Sequence, residues 1–205
     1  MEQPVVHIID DDESLRGAIS TLLRSVGIGA ISYGTCGEFL QSIPPDVPSC
    51  LLLDVRLPGL SGLEFQSQLS THGIAMPVVM MTGYGDVPMS VRAMKAGAVD
   101  FLTKPFRDQD LLDAVSAAIE RDSQLRHASA GLSELVARHD ALSVREKQVM
   151  RLVTAGRLNK QVAFDLGLSE ITVKLYRASA MKKMEARTFA ELVKMAERLN
   201  VQAMA

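Results

Sequence analysis

Tryptophan is absent from the 205 residues, and aromatic residues make up only 4% of them. A core poor in large rings points to helices built on Leu, Ala, Val and Met rather than to an aromatic-rich sandwich. Cysteine is nearly absent too, with Cys36 and Cys50 the only two. They lack the spacing of a zinc site. They can pair in one disulfide, although two ordinary thiols in a reducing cytosol are the simpler reading. No uncharged apolar run reaches the roughly 18 residues of a membrane helix. The first residues, MEQPVVHIIDDDE, are acidic where a signal peptide needs positive charge. A cytoplasmic protein with no membrane partner is therefore expected.

Charge of one sign is also scarce in each half. Residues 1–120 hold 7 Lys and Arg against 15 Asp and Glu, a net of −8, whereas residues 121–205 hold 15 against 9, a net of +6. The overall −2 hides this split. An acidic half and a basic half suggest two domains with different partners.

What is present in the first 120 residues is alternation. Short apolar runs read as strands: VVHII, the weaker IGAISY, CLLLDV, PVVMMT and VDFLT. Between them lie helical patterns at 13–26, CGEFLQSI, LEFQSQLS, 87–95 and 108–121. Strands alternating with helices argue for a five-stranded parallel sheet covered on both faces, where ligands bind at the carboxyl ends of the strands. Residues 121–140 are polar and helix-compatible and read as a helical linker. From 141 onward only helices are expected, over 143–155, 159–166, 170–185 and 188–199. Ser143 with Glu146 forms a capping box, Ser169 is a candidate N-cap, and Gly156 and Gly167 are helix stops. The division is thus 1–120, a linker at 121–140, and 141–205.

The strand ends carry the chemistry. VVHII runs into Asp10, Asp11 and Asp12, CLLLD ends in Asp54, PVVMM in Thr82, and VDFLT in Lys104-Pro105. In a parallel sheet all of these project from one edge. Packed carboxylates repel, so they need a cation, and Mg²⁺ takes a few carboxylates while keeping several waters. An aspartate is a competent nucleophile for phosphoryl groups, a lysine supplies a point charge for a phosphoryl oxygen, and a threonine supplies a hydrogen bond. Each residue alone is an ordinary cap, turn or surface group; the ordered set is the signal.

That set, with LLLDVRLPGLSG, MMTGYG and FLTKPF, resembles the receiver domain of two-component response regulators, over about residues 4–120. The resemblance implies a flavodoxin-like doubly wound fold. It implies that Asp54 is the phosphoacceptor for a sensor histidine kinase and that Asp10 and Asp11 are the acidic pair. Mg²⁺ would be held at Asp10, Asp11 and Asp54 with the Arg56 main-chain carbonyl. Thr82 and Lys104 would contact the phosphoryl group, Thr82 and Phe101 would form the switch, and Tyr84 and Arg56 would lie near the site. The peptide before Pro105 is often cis in this family. Phosphorylation commonly reshapes the face of the fourth helix, fifth strand and fifth helix and favours a homodimer. On that face Met89 and Met94, taken singly, read as core. The domain is a phosphoryl substrate that loses the group by hydrolysis, not an enzyme.

The basic half suggests a helix-turn-helix. Residues 159–166 would be the scaffold helix, Gly167-Leu168-Ser169 the turn, and the helix from Glu170 the recognition helix. Val162, Ala163 and Leu166 are placed to pack against Val173, Ala180 and Met184, leaving Lys174, Arg177, Ala178 and Met181 nearer an exposed face. Lys160, Lys174, Arg177, Lys182 and Lys183 are candidate DNA contacts, though each by itself is also an ordinary solvated charge. LSVREKQVM, AGRLNKQVA and LSEITVK resemble the LuxR-type output domain of the FixJ/NarL class, over about residues 142–199. The resemblance adds Thr172, Leu175 and Ala178 to the double-stranded DNA interface and gives Glu146 a bundle-tying role. Tyr176 stands where the family usually has histidine, and Ala178 where some relatives carry a polar base-contacting group. These two departures support a competing reading, in which the output domain has lost DNA specificity and acts through protein contacts. A hydrolase with an aspartate nucleophile is disfavoured by Arg56, which stands where such enzymes have a second aspartate.

Overall fold

The computed structural model describes residues 3–83 and 87–201. The chain divides between Arg126 and His127 into two compact units.

The first unit holds five strands: β1 (Val5–Ile9), β2 (Gly29–Tyr33), β3 (Ser49–Asp54), β4 (Val78–Thr82) and β5 (Asp100–Thr103). All pair in parallel in the order β2-β1-β3-β4-β5, the flavodoxin-like order. Every residue of the central β3 is buried, as both-face coverage requires. Alternate residues feed two cores. Ile8, Leu52, Val79 and Met81 face Ile19 and Leu23 of helix α1 (Glu13–Ser25) and Leu111 and Val115 of α5 (Asp108–Asp140). Ile9, Leu51, Leu53 and Met80 face Phe39 of α2 (Cys36–Gln41), Phe65 of α3 (Gly62–Gln68) and Ala93 of α4 (Val87–Lys95). A 3₁₀ turn, Leu69–His72, follows α3. Asp12 caps α1 by accepting from the N–H groups of Ser14 and Leu15. Cys36 and Cys50 are both buried free thiols.

Met89 packs in the second core as expected, but Met94 is 47% exposed. It follows the buried Ala93 by one position, and one step around a helix turns a side chain by about 100°.

Residues 121–140 continue α5 without a break, making a helix of 33 residues. The two ends of this stretch are buried in different units. Asp122 is buried and accepts from the Ser49 N–H at 2.8 Å and from Arg126 Nε at 2.6 Å. Arg126 also pairs with Asp46. Leu135, by contrast, is buried among Leu142, Met150, Met184 and Leu192 of the second unit. Asp122 and Leu135 are thus both buried within a polar stretch, which hydrophobic periodicity alone does not resolve.

The second unit adds α6 (Val144–Thr154), α7 (Asn159–Leu166), α8 (Glu170–Lys183) and α9 (Phe189–Arg198). The capping box at Ser143 and Glu146 forms. Gly167 closes α7 with φ +63°, a left-handed conformation that costs glycine no Cβ clash. Ser169 caps α8. The expected single α7–α8 core is in fact two clusters. Val162 and Ala163 meet Val173, whereas Ala180 and Met184 join α6, α9 and Leu135. Met181, expected outward, is half-buried in the latter cluster. No helix among the described residues is long and apolar enough to cross a membrane.

Candidate functional site

Parallel pairing brings the carboxyl ends of β1, β3, β4 and β5 to one edge. Asp54 stands opposite Met81 in the register, and Thr82 opposite Thr103. Asp10 and Thr82 are completely buried and Asp54 is nearly so. Lys104, which directly follows β5 and precedes a cis bond to Pro105, donates to Asp10 Oδ2 at 2.6 Å and pairs with Asp54 Oδ2 at 3.1 Å. Asp10 Oδ1 accepts from the Asp12 N–H at 3.0 Å. Asp54 Oδ1 is buried with no hydrogen-bond partner among the described residues. Oxygens of Asp10, Asp54 and the exposed Asp11 lie within 4.8 Å of one another.

The electrostatics follow from this crowding. Burial raises the pKa of the Asp54 carboxyl, Lys104 opposes the rise, and the Asp10 charge adds to it. Burial pulls Lys104 down, but the hydrogen bonds and charges of Asp10 and Asp54 outweigh it, so its pKa is raised and it stays protonated. One lysine thus serves two carboxylates, Asp10 and Asp54, with Asp11 close by. An orphaned carboxylate oxygen beside two further acids is a donor set suited to a hard, oxygen-seeking cation.

A second surface lies on the helical unit. On α8 the residues Ile171, Lys174, Leu175, Ala178 and Lys182 are all exposed and recur with helical spacing on one face. Ile171 is 72% and Leu175 67% exposed, unusual for branched apolar side chains without a partner. Among the described residues, Lys160, Lys174 and Lys182 have no ion-pair partner. The Leu168 N–H donates to the Ala163 carbonyl at 2.8 Å and fixes the turn between α7 and α8.

Two family models match the chain. Residues 6–116 match the response regulator receiver domain, and residues 140–196 match the bacterial regulatory proteins of the luxR family. Nodulation protein W of Bradyrhizobium diazoefficiens is 54% identical over 199 residues, spanning 97% of this chain and 88% of that one. Transcriptional regulatory protein FixJ of Azorhizobium caulinodans is 44% identical over 191 residues, spanning 93% and 90%. The solved structure of response regulator StyR superposes with a TM-score of 0.85 at 41% identity, over 96% of this chain and 100% of that one.

The chain belongs to the FixJ-type response regulators. It is a two-component transcription regulator with a receiver domain and a LuxR-type DNA-binding domain, and its relatives are regulators rather than enzymes. Receiver domains bind Mg²⁺ through acidic residues, and the regulator carries such a cluster in Asp10, Asp11 and Asp54.

The structure gathers Asp10, Asp11, Asp54, Thr82 and Lys104 at the sheet edge. Arg56 follows two residues after Asp54, with its side chain exposed. Phe101 is half-buried on β5 against the α2–α3–α4 core. Tyr84 lies outside the described residues. On the helical unit, Thr172 is half-buried and its hydroxyl lies 2.8 Å from that of Ser169. Arg177 is half-buried, with its guanidinium 4.1 Å from the centre of the Phe189 ring. Lys183 binds Glu146 at 2.7 Å and so serves the bundle. Glu146 also accepts from Ser179 at 2.6 Å and from the Ser143 N–H at 2.6 Å. Sequence reasoning missed Arg16, whose guanidinium donates to the Asp10 carbonyl at 2.6 Å. No local pattern signals that bond.

Proposed function

We propose that this response regulator is phosphorylated on Asp54 by a sensor histidine kinase, and that the phosphoryl group controls dimerisation and sequence-specific DNA binding. The observation that carries the reading is the state of Asp54. It is a buried carboxylate with one oxygen paired to Lys104 and the other unpartnered, beside two more acids. A carboxylate oxygen attacks the phosphorus of the kinase phosphohistidine. The new O–P bond forms as the N–P bond breaks, and the imidazole leaves. Lys104 holds a positive charge where phosphoryl oxygens arrive, and the Thr82 hydroxyl donates to one of them. Asp11 and Asp54, with Asp10 behind them and the Arg56 carbonyl, would hold Mg²⁺. The ion supplies neutralisation of the charge that builds on the phosphoryl oxygens. Phe101 is the switch aromatic, and its ring follows Thr82. Phosphate charge thereby biases a two-state face formed by α4, β5 and the receiver part of α5.

On the output side, the exposed face of α8 enters the major groove with Lys174, Leu175 and Ala178 towards base edges. Lys160 and Lys182 meet phosphates, and Thr172 supports the helix start. Arg177 completes the interface from its flank.

A genomic-fragment selection tests the proposal, run with and without beryllium fluoride plus Mg²⁺ and with Asp54→Ala as the control. Fragments retained only by the activated wild type are expected. Equal retention in all arms keeps DNA binding but removes Asp54 as its gate. No enrichment in any arm overturns the reading in favour of an output through protein contacts.

A further inference from the structure

Arg177 stands apart from the other cations of α8. The exposed face centres on Ile171, Leu175 and Ala178, and at about 100° per residue Arg177 lies roughly 120° away from that centre. It therefore sits on the flank of the helix, beside the buried stripe of Val173, Ala180 and Met184. Its guanidinium rests on the face of Phe189, 4.1 Å from the ring centre. No acceptor takes a hydrogen bond from it among the described residues. That combination is incomplete: a half-buried cation sits over a ring while its N–H donors have no acceptor among the described residues. Stacking occupies the π face of a guanidinium and leaves its five N–H donors free in the plane.

The platform beneath it is packed into the unit. Phe189 opens α9, and the helix start is capped by Thr188, whose hydroxyl accepts from the Glu191 N–H at 3.2 Å. The ring packs against both apolar clusters of the unit, with Met150 and Leu192 in one and Val153 and Val162 in the other. A long side chain held on such a platform has already lost most of its rotamer freedom before any ligand arrives.

We infer that Phe189 is a positioning residue for DNA binding: it presents the edge of Arg177 to a backbone phosphate at the rim of the groove, not to a base. This rests on the reading that the α8 face binds DNA and assigns Arg177 its role there. A phosphate is the partner that fits a planar fork of donors on the flank of a recognition helix, and it carries no sequence information.

Full-length protein activated with beryllium fluoride and Mg²⁺ is titrated onto a fluorescent mixed-sequence duplex over a range of salt concentrations. Arg177→Gln is expected to weaken binding roughly three- to tenfold and to lower the slope of log K against log salt by about one. Phe189→Leu should reproduce both effects, Phe189→Tyr should restore both, and the double variant should be no worse than Arg177→Gln alone. Should Phe189→Leu lose amide-exchange protection in α9, Phe189→Met fills much of the volume without a ring and takes its place. A full slope in Arg177→Gln would show that Arg177 touches no phosphate and overturns the inference. A reduced slope in Arg177→Gln with a full slope in the ringless variant overturns the role of Phe189. Absence of salt-dependent binding by the wild type overturns the underlying DNA-binding reading itself.

Discussion

Two buried carboxylates behave in opposite ways because of what surrounds them. Asp54 is raised by burial, so its ionised form opposes folding at neutral pH while no cation is bound. Asp54→Asn should therefore stabilise the metal-free receiver and abolish the stabilisation that added Mg²⁺ gives the wild type. Urea unfolding with and without Mg²⁺ checks both halves, and a destabilised variant would refute the charge argument. Glu146 is held down to about 2, first by Lys183 and then by Ser179. Its depressed pKa means that its stabilisation is complete above its ordinary value near 4.5 and fades as pH falls towards about 2. Glu146→Gln is expected to cost about 1–3 kcal/mol at pH 7, with the gap to the wild type closing in acid. Amide-exchange protection in α6 and α8, followed against pH, reads this directly. Ser143 and Glu146 could be paired from their spacing, but Ser179 and Lys183 could not. Those two lie more than 30 residues on and meet Glu146 only because α8 packs on α6.

Elements were legible where the apolar period was strong. β1, β3 and β4 are near-continuous apolar runs and emerged where expected, and so did α7 and α8 around the Gly167 turn. The close approach of α3 to the end of β3 was not legible. Gly62 N–H donates to the Val55 carbonyl at 2.9 Å, and a Cβ on Gly62 would fall 2.0 Å from the Asp54 carbonyl oxygen. The requirement for glycine at this position is therefore steric, not conformational. Gly62→Ala should push α3 off the strand end, destabilising the receiver by about 2–4 kcal/mol and slowing phosphorylation by a small-molecule phosphodonor. An alanine variant with wild-type stability and phosphorylation would contradict the contact. Residues 121–140 show the complementary failure. Their helicity was readable, whereas the burial of Asp122 against the Ser49 N–H depends on a strand 73 positions away.

At the scale of the whole molecule, an acidic unit and a basic unit share one chain, and the acidic one holds the sheet-edge carboxylates. The proposed dimer would place two copies of α8 on one duplex and multiply two weak contacts through effective concentration. Beryllium fluoride with Mg²⁺ is therefore expected to raise the dimer fraction in light scattering and to steepen DNA binding, with neither change in Asp54→Ala. A dimer of equal strength in both forms would separate assembly from phosphorylation.

The family, the two-part organisation and the identity of the sheet-edge residues were determined by the sequence itself, because strand ends, motif order and helical spacing are local properties. Tertiary structure alone decided which groups are spent and which remain available. Lys183 is spent on Glu146, Arg126 on Asp122, and Arg177 sits over the Phe189 ring, while among the described residues one oxygen of Asp54 is left without a partner. Each of these outcomes is set by contacts between elements distant in the chain or by the burial that packing imposes, and neither is written in any local pattern.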